Sequence, residues 1–395
     1  MNVLGLMSGT SADGVDAALA CFSGPASRPR WRLLAVHSHP YPAELRRSLV
    51  ATGQGEPLSS AALLELAEAL TEHHAIAARA CDPSGSARLV GCHGQTLWHR
   101  PPSGARRGAS WQLLMGPLLA ELVGAPVIFD FRAADLALGG QGAPLVPATD
   151  AALLGRIDGW RALLNLGGIA NITLLPPRRG PDRGAPVTGW DCGPANTLLD
   201  LAVSRFSGGR LNHDADGAWA RRGTIVEALV ERWLAEPYFQ TPPPKSTGRE
   251  WFGGADLERR LADLEVMAPD WSEADALATL TAFSAAAVAA DLGRGARPLE
   301  VLVAGGGARN GFLMDQLVRR CRGMAVVPLA TAGIGEEARE ALAFALLAWW
   351  HHRGHPGALT SVTGASTAAR LGVRADPQGR SAWRAAQAQT PGGTA

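Results

Sequence analysis

The opening of this chain constrains it most. Leu4-Gly5-Leu6-Met7 reads as an apolar strand and Val15-Asp16-Ala17-Ala18-Leu19 as a second one. Between them runs Ser8-Gly9-Thr10-Ser11-Ala12-Asp13-Gly14. Glycine has no Cβ, so such a turn lets backbone N–H groups come close to phosphate oxygens. Carboxylates cannot touch phosphate directly, but they can hold Mg²⁺ or order its waters. The segment therefore predicts a phosphate-handling hairpin. Its nucleotide contacts are Gly9, Thr10, Ser11, Ala12, Asp13, Gly14, Val15 and Asp16, and Asp13 organises the metal directly or through water. The bland alternative is an ordinary hairpin with Asx and Ser turn bonding.

At 395 residues the chain exceeds one ordinary core, which predicts two lobes. A formal net charge of +1 supplies no broad field for DNA or anionic lipid, so neither nucleic acid nor membrane is expected as a partner. The cysteines are Cys21, Cys81, Cys92, Cys192 and Cys321. They are odd in number and lack metal-ligand spacing, which predicts reduced thiols in a cytoplasm. No basic n-region precedes the first strand, so no signal peptide is expected. The longest apolar run, Ala276 to Ala290, is interrupted by Thr279, Thr281 and Ser284 and predicts a buried helix. Lys245 is the only lysine among 37 basic residues. A compact ammonium differs from a guanidinium at a tight site, so Lys245 is a candidate to pair with a carboxylate or a phosphate.

Strands are predicted near 2–7, 15–22 and 31–38, helices near 42–52 and 59–81, and a short strand over 88–92 ending at His93-Gly94-Gln95-Thr96. A helix over 111–123 and a strand over 126–131 follow. The opening theme then returns. Strands over 160–166 and 169–175 flank Gly167-Gly168, and 187–191 is a third strand. This echo predicts a duplicated fold. Helices near 195–206, 217–235 and 274–292 come next, then a strand over 299–304 that ends in Gly305-Gly306-Gly307-Ala308-Arg309-Asn310. Helices over 311–321 and 337–350 close the pattern. The expected division is a first lobe over 1–140, a second over 141–375 and a loose tail over 376–395. Asp214 and Asp216 in His213-Asp214-Ala215-Asp216-Gly217 lack the later ligands of a calcium loop and predict a turn.

Several of these stretches, in this order, resemble the anhydro-N-acetylmuramic acid kinase family. They include Met7 to Asp16, Gly94-Gln95-Thr96, Asp130-Phe131-Arg132 with Asp135, and Gly139 to Pro147. Asn165 to Thr173, Asp191-Cys192-Gly193-Pro194-Ala195-Asn196, Pro237-Tyr238-Phe239, Lys245 to Glu250 and Gly305 to Asn310 complete the set. The family pattern has Thr where Cys192 stands and Gly where Ala195 stands, and Asp where Glu337 precedes Glu340-Ala341. The resemblance implies an α/β fold of two ribonuclease-H-like lobes, the actin-like or sugar-kinase fold, with ATP and Mg²⁺ bound in an interlobe cleft. It implies that water opens the 1,6-anhydro ring while ATP phosphorylates O6, giving N-acetylmuramic acid 6-phosphate and ADP in peptidoglycan recycling. A homodimer is expected by the same resemblance.

Under this reading Gly167 and Gly168 form the second phosphate turn. Gly305, Gly306, Gly307 and Asn310 suit the adenosine or its phosphates. That run lacks the lysine of a P-loop and the Gly-x-Gly-x-x-Gly spacing. Asp191 ends a strand before a sharp exit into a helix and is the expected general base, with a helix N-cap as its structural alternative. Glu340 resembles the family glutamate that holds the sugar and the attacking water. Arg132, Asp135, His93 and Thr96 are expected to face the sugar, with a salt bridge within the loop as the alternative for Arg132 and Asp135 and a satisfied core histidine as the alternative for His93, and Trp98, Trp190 and Trp251 are candidates to stack on it. Two other readings stay open: a different sugar or small-molecule kinase on this fold, and a nucleotide-regulated binding protein.

Overall fold

The computed structural model describes residues 1–248 and 250–379, without the side chain of Glu336. From residue 380 onward the expected tail lies outside the described residues, as does Arg249 of the Lys245 stretch. In chain order the elements begin β1 (Asn2–Ser8), β2 (Gly14–Ser23), β3 (Arg30–Pro40), α1 (Ala43–Gly53) and α2 (Ser60–Cys81). Next come β4 (Val90–Arg100), β5 (Ala109–Leu113), α3 (Gly116–Val123), β6 (Val127–Phe129), α4 (Ala133–Ala137) and α5 (Val146–Leu154). They continue as β7 (Arg161–Leu166), β8 (Ile169–Leu175), β9 (Thr188–Pro194), α6 (Asn196–Phe206), α7 (Glu227–Leu234) and α8 (Pro237–Gln240). The rest are α9 (Gly254–Met267), α10 (Glu273–Leu292), β10 (Glu300–Ala304), α11 (Gly311–Arg320), β11 (Ala325–Pro328), α12 (Glu336–His352), α13 (Thr360–Thr363) and β12 (Val373–Ala375).

The chain divides into two units. The first takes residues 1–154 and, among the described residues, 333–379, and the second takes 155–332. This corrects the expected boundary after residue 140. The second unit is an insertion in the first, because α12 returns to cover the first sheet. A contiguous split cannot represent that path.

In the first unit the strand order is β12-β6-β4-β1-β2-β3, with β5 added beside β4. β1, β2 and β3 pair antiparallel, and β4 joins β1 in parallel. In the second unit the order is β11-β10-β7-β8-β9. Here too the first three strands are antiparallel and β10 joins β7 in parallel. Two sheets with one order and one sense of pairing are the duplicated ribonuclease-H-like architecture of the sugar-kinase fold.

Strand alternation gives the first sheet two covered faces. Leu4, Leu6, Val90 and Cys92 join a core with Leu66, Leu70 and Ala77 of α2. The other face receives α12 at very short range: a Cβ on Gly5 would collide with the Ala341 carbonyl, and one on Gly91 with the Phe344 carbonyl. These two glycines are what let α12 lie against the backbone of β1 and β4. Phe22 of β2 stacks on Trp349 at 5.7 Å between ring centroids. In the second unit Leu164, Ile172, Trp190 and Val301 pack with Ala285 and Val288 of α10 and Leu313 of α11. Among the described residues α10 is the helix long and apolar enough to cross a bilayer, yet 83% of its apolar window is buried.

Three local expectations are corrected. The strand expected to stop at Cys92 runs on to Arg100 through His93, Gly94, Gln95 and Thr96. It pairs with β5, so residues 109–113 are a strand where a helix was expected, and the helix begins only at Gly116. The helix expected over 217–235 is confined to Glu227–Leu234. Residue 216 has φ +57° and Gly223 is extended at φ −89° and ψ 165°, so one continuous helix cannot run through both. All five cysteines are free.

Candidate active site

In the first unit, the turn between β1 and β2 is held by Gln95. This side chain, 2% exposed, accepts the Ser8 hydroxyl at 2.5 Å and donates to the Gly9 carbonyl at 2.9 Å. The same carbonyl accepts the Ala12 N–H at 3.1 Å. A trans peptide points its N–H opposite its C=O, so the Thr10 N–H is turned away from Gln95. Thr10 and Ser11 are exposed at the tip. The expected contacts are not equivalent, however. Ala12 and Val15 are buried in the core, leaving only their backbones for a ligand. Gly14 is small because a Cβ would meet Pro40 Cα at 2.8 Å. Asp13 is exposed and paired with Arg46 at 2.8 Å.

Asp16 accepts from Ser38 at 2.6 Å. Burial raises its pKa, and the nearby Glu337 adds to this while the Ser38 hydrogen bond opposes it. Glu340, on the first turns of α12, reaches solvent yet also has a raised pKa. Desolvation is the main cause, Asp16 and Asp150 contribute, and Arg339 and Arg132 act against them. Arg339 itself is bound to Asp150 at 2.5 Å. The end of this sheet thus carries crowded carboxylates whose mutual repulsion a cation or a sugar hydroxyl would relieve.

Arg132 donates to the Gly142 carbonyl at 2.7 Å and to His93 Nε2 at 2.9 Å. His93 is 3% exposed, and its Nδ1 lies 2.9 Å from the Gly94 carbonyl. Burial, with Arg132 beside it, pushes its pKa down to about 3. His93 is therefore a neutral acceptor that orients Arg132, the arrangement of a satisfied core histidine. Asp135 is a second correction. It is fully buried, its oxygens taken by the Gly142 N–H at 2.8 Å and the Thr363 hydroxyl at 2.7 Å. It ties the Gly139–Gly142 loop to α13. Thr96 is half-buried, with its hydroxyl 3.3 Å from Gln112 Nε2. Trp98 and Trp251 are exposed, but Trp190 is 7% exposed and belongs to the core.

In the second unit, Asn196 performs the task of Gln95. Its Nδ2 donates to the carbonyls of Leu166 at 2.9 Å and Gly167 at 2.8 Å. The Gly168 carbonyl accepts from the N–H groups of Ala195 and Thr197. By the same peptide geometry the N–H groups of Gly168 and Ile169 point away from α6. A Cβ on Gly305 or Gly307 would clash with Leu166, so these two glycines serve packing against the end of β7. Gly306 is exposed, with nothing nearer than 3.9 Å to its Cβ position, and leaves its backbone open to a ligand. The Asn310 carbonyl oxygen caps α11 through the Leu313 N–H at 3.0 Å, leaving its amide nitrogen for other contacts.

Asp191 stands on β9 opposite Asn171 of β8. Its Oδ1 accepts from Asn171 at 2.9 Å, and its Oδ2 from the Ser246 hydroxyl at 2.8 Å and the Thr247 N–H at 3.0 Å. It caps no helix: α6 begins after Ala195 and has no side-chain cap. Lys245 finds a carboxylate, Asp291, at 3.0 Å. Gln95, Asn196, Asn171, Ser246 and Thr247 all lie inside the motif stretches, yet no spacing rule marks them as holders of the turns and of Asp191.

In each unit a side-chain amide holds the carbonyls of a glycine turn, Gln95 in the first and Asn196 in the second. Among the described residues no cluster of three metal-ligating side chains exists.

A profile of the family described as anhydro-N-acetylmuramic acid kinase matches residues 1–376. A protein of Parasynechococcus marenigrum named anhydro-N-acetylmuramic acid kinase is 62% identical over 382 residues, covering 95% of this chain and all of that one. One of Synechococcus sp. strain WH7803 with the same name is 62% identical over 390 residues, with the same coverage. Among solved structures, a ROK family glucokinase from Streptomyces griseus with glucose and AMPPNP is 14% identical, with a TM-score of 0.35, covering 88% of this chain and 98% of that one. From its full-length match to the profile and to these relatives, the chain belongs to the anhydro-N-acetylmuramic acid kinase family.

Proposed function

We propose that the protein is an ATP-dependent kinase that hydrolytically opens 1,6-anhydro-N-acetylmuramic acid and phosphorylates O6. The products are N-acetylmuramic acid 6-phosphate and ADP, and the setting is the recycling of cell-wall peptidoglycan. One observation carries this reading: in a chain of this family, the Asp191 carboxylate is held by Asn171, Ser246 and Thr247 on the edge strand of a sheet. A carboxylate so oriented takes a proton from water as the water oxygen bonds to the anomeric carbon. The C1–O6 bond breaks, and the electron pair released on O6 forms the bond to the γ-phosphorus while ADP leaves. Both steps occur on one bound sugar and gain from proximity.

Within this reading Glu340 and Arg132 hold the sugar, with Thr96 beside them. The turns at 9–13 and 167–168 and the backbone of Gly306 bind the nucleotide. Asp13 would order the waters of a phosphate-bound Mg²⁺, which would offset charge on the transferring phosphate. The cellular setting is the cytoplasm and the assembly a homodimer, which sedimentation of the purified chain tests. Incubation with the anhydro-sugar, ATP and Mg²⁺ followed by mass spectrometry tests the reaction. A phosphorylated product that retains the anhydro ring would contradict it, and ¹⁸O from labelled water should appear at C1.

A further inference from the structure

Lys245 lies on a segment that runs beside β9. Its carbonyl accepts the Asp191 N–H at 3.1 Å, and the next two residues supply two of the donors to the Asp191 carboxylate. Its side chain goes the other way, and only 4% of it is exposed. Along a strand, successive side chains alternate faces. Trp190 and Cys192 therefore lie on the face of β9 opposite Asp191, and both are buried.

On that buried face Lys245 Nζ pairs with Asp291 Oδ1 at 3.0 Å, and Asp291 Oδ2 accepts the Trp190 indole N–H at 3.1 Å. The ammonium also lies 3.4 Å from the Tyr238 carbonyl and 4.8 Å from the centre of the Tyr238 ring. The Tyr238 hydroxyl in turn donates to the Asp191 carbonyl at 2.8 Å. Asp291 is anchored near the end of the buried helix α10, so the pair ties segment 245–247 to the rigid centre of the unit.

The residue type fits the place. The acceptors that meet Nζ are one carboxylate oxygen and one carbonyl. An ammonium on a slim stem can be served by these and by the ring face. A guanidinium would bring five donors into the same buried space. All other basic side chains of the chain are arginine, and this is the one lysine.

We infer that Lys245 is a positioning residue: its buried pair with Asp291 sets where segment 245–247 sits along β9, and so places the Ser246 and Thr247 donors that orient Asp191. The inference rests on Asp191 acting as base. Lys245 touches neither carboxylate oxygen of Asp191. It acts through the backbone one and two residues onward.

The test is steady-state kinetics on the full chain with the anhydro-sugar and ATP, beside thermal melting. Lys245→Met should lower kcat about tenfold or more, the size of effect that a small misplacement of a reacting group produces. The KM for ATP should stay within about twofold, because the clamped phosphate turns are untouched. Lys245→Met with Asp291→Asn leaves neither member of the pair as an uncompensated buried charge, and Arg294, which also reaches Asp291 Oδ1 at 3.3 Å, is partly exposed and keeps the Phe239 and Thr241 carbonyls. The double variant should fold and show the same loss of kcat, and it decides the matter if the single variant does not fold. A kcat within about twofold of the parent in either folded variant overturns the inference, whatever the melting temperature. So does a fall in kcat matched by a rise in the KM for ATP, which marks general loosening. Asp191→Asn is measured alongside. If it keeps full turnover, the base assignment itself fails. If it is inactive while the Lys245 variants match the parent, only the positioning role fails.

Discussion

The two units share one strand order but treat their candidate acids differently. In the second, Asp191 is surrounded by donors: an amide, a hydroxyl and a backbone N–H fix its carboxylate. In the first, burial raises the pKa values of Glu340 and Asp16, and neighbouring carboxylates add to it, Asp16 and Asp150 at Glu340 and Glu337 at Asp16. One arrangement fixes the direction of a carboxylate. The other makes its charge unfavourable until something positive or hydrogen-bonding arrives. The glycine turns show the converse, since unlike sequences arrive at one device. Gln95 comes from a neighbouring parallel strand and Asn196 from the start of a helix. Each uses a side-chain amide to capture a turn carbonyl.

The largest expected effect probes the oriented acid. Asp191→Asn keeps the shape but cannot take a proton, so kcat should fall about 10²- to 10⁴-fold with nucleotide affinity retained. Loss of ATP binding, measured by calorimetry, would move Asp191 to a supporting role and dissolve the contrast. Next in size, Gln95→Leu and Asn196→Leu should each weaken ATP binding about tenfold, since each leaves a turn carbonyl without its donor. If only one of them does so, the two turns are not equivalent.

A smaller effect separates support from contact in the first unit. His93→Leu frees Arg132 and should raise the KM for the sugar about three- to tenfold without moving that for ATP. Because His93 has a pKa near 3 it stays neutral, so the parent's sugar KM should show no step from this residue between about pH 5 and 8. The smallest effect is on stability. Glu340 has a raised pKa, so the folded chain holds its proton more readily than the unfolded chain. Stability is therefore lost as pH rises through the window above the ordinary carboxylate value. Glu340→Gln escapes that loss and should melt about 1–2 °C higher at pH 7, with the gain gone below about pH 4. Its kcat should fall nonetheless. A variant that is less stable at neutral pH would contradict the crowding.

Both hairpins were legible because alternating apolar residues around a glycine turn specify a strand pair locally. The β4–β5 hairpin was not, since the polar run His93 to Thr96 reads as a turn until its pairing with residues 109–113 is known. The interrupted path of the first unit is a tertiary fact that no local pattern encodes. Asp135 illustrates the limit for sites. A carboxylate four residues ahead of a glycine pair reads the same whether it faces a ligand or, as here, closes a loop from within. Lys245 shows the reverse case. Its singularity drew attention to a carboxylate partner, but identifying Asp291 needed residues 46 positions apart to meet.

The return of α12 also bears on how the molecule is made. On the ribosome β1 and β4 emerge early, but the helix that must lie on Gly5 and Gly91 follows only after residues 155–332 have been threaded out. The inserted unit is continuous and can complete its own core first. The portion synthesised earliest is thus the last to be sealed, and a nascent chain stalled before residue 336 would present the bare backbone of β1 and β4 to whatever surrounds it.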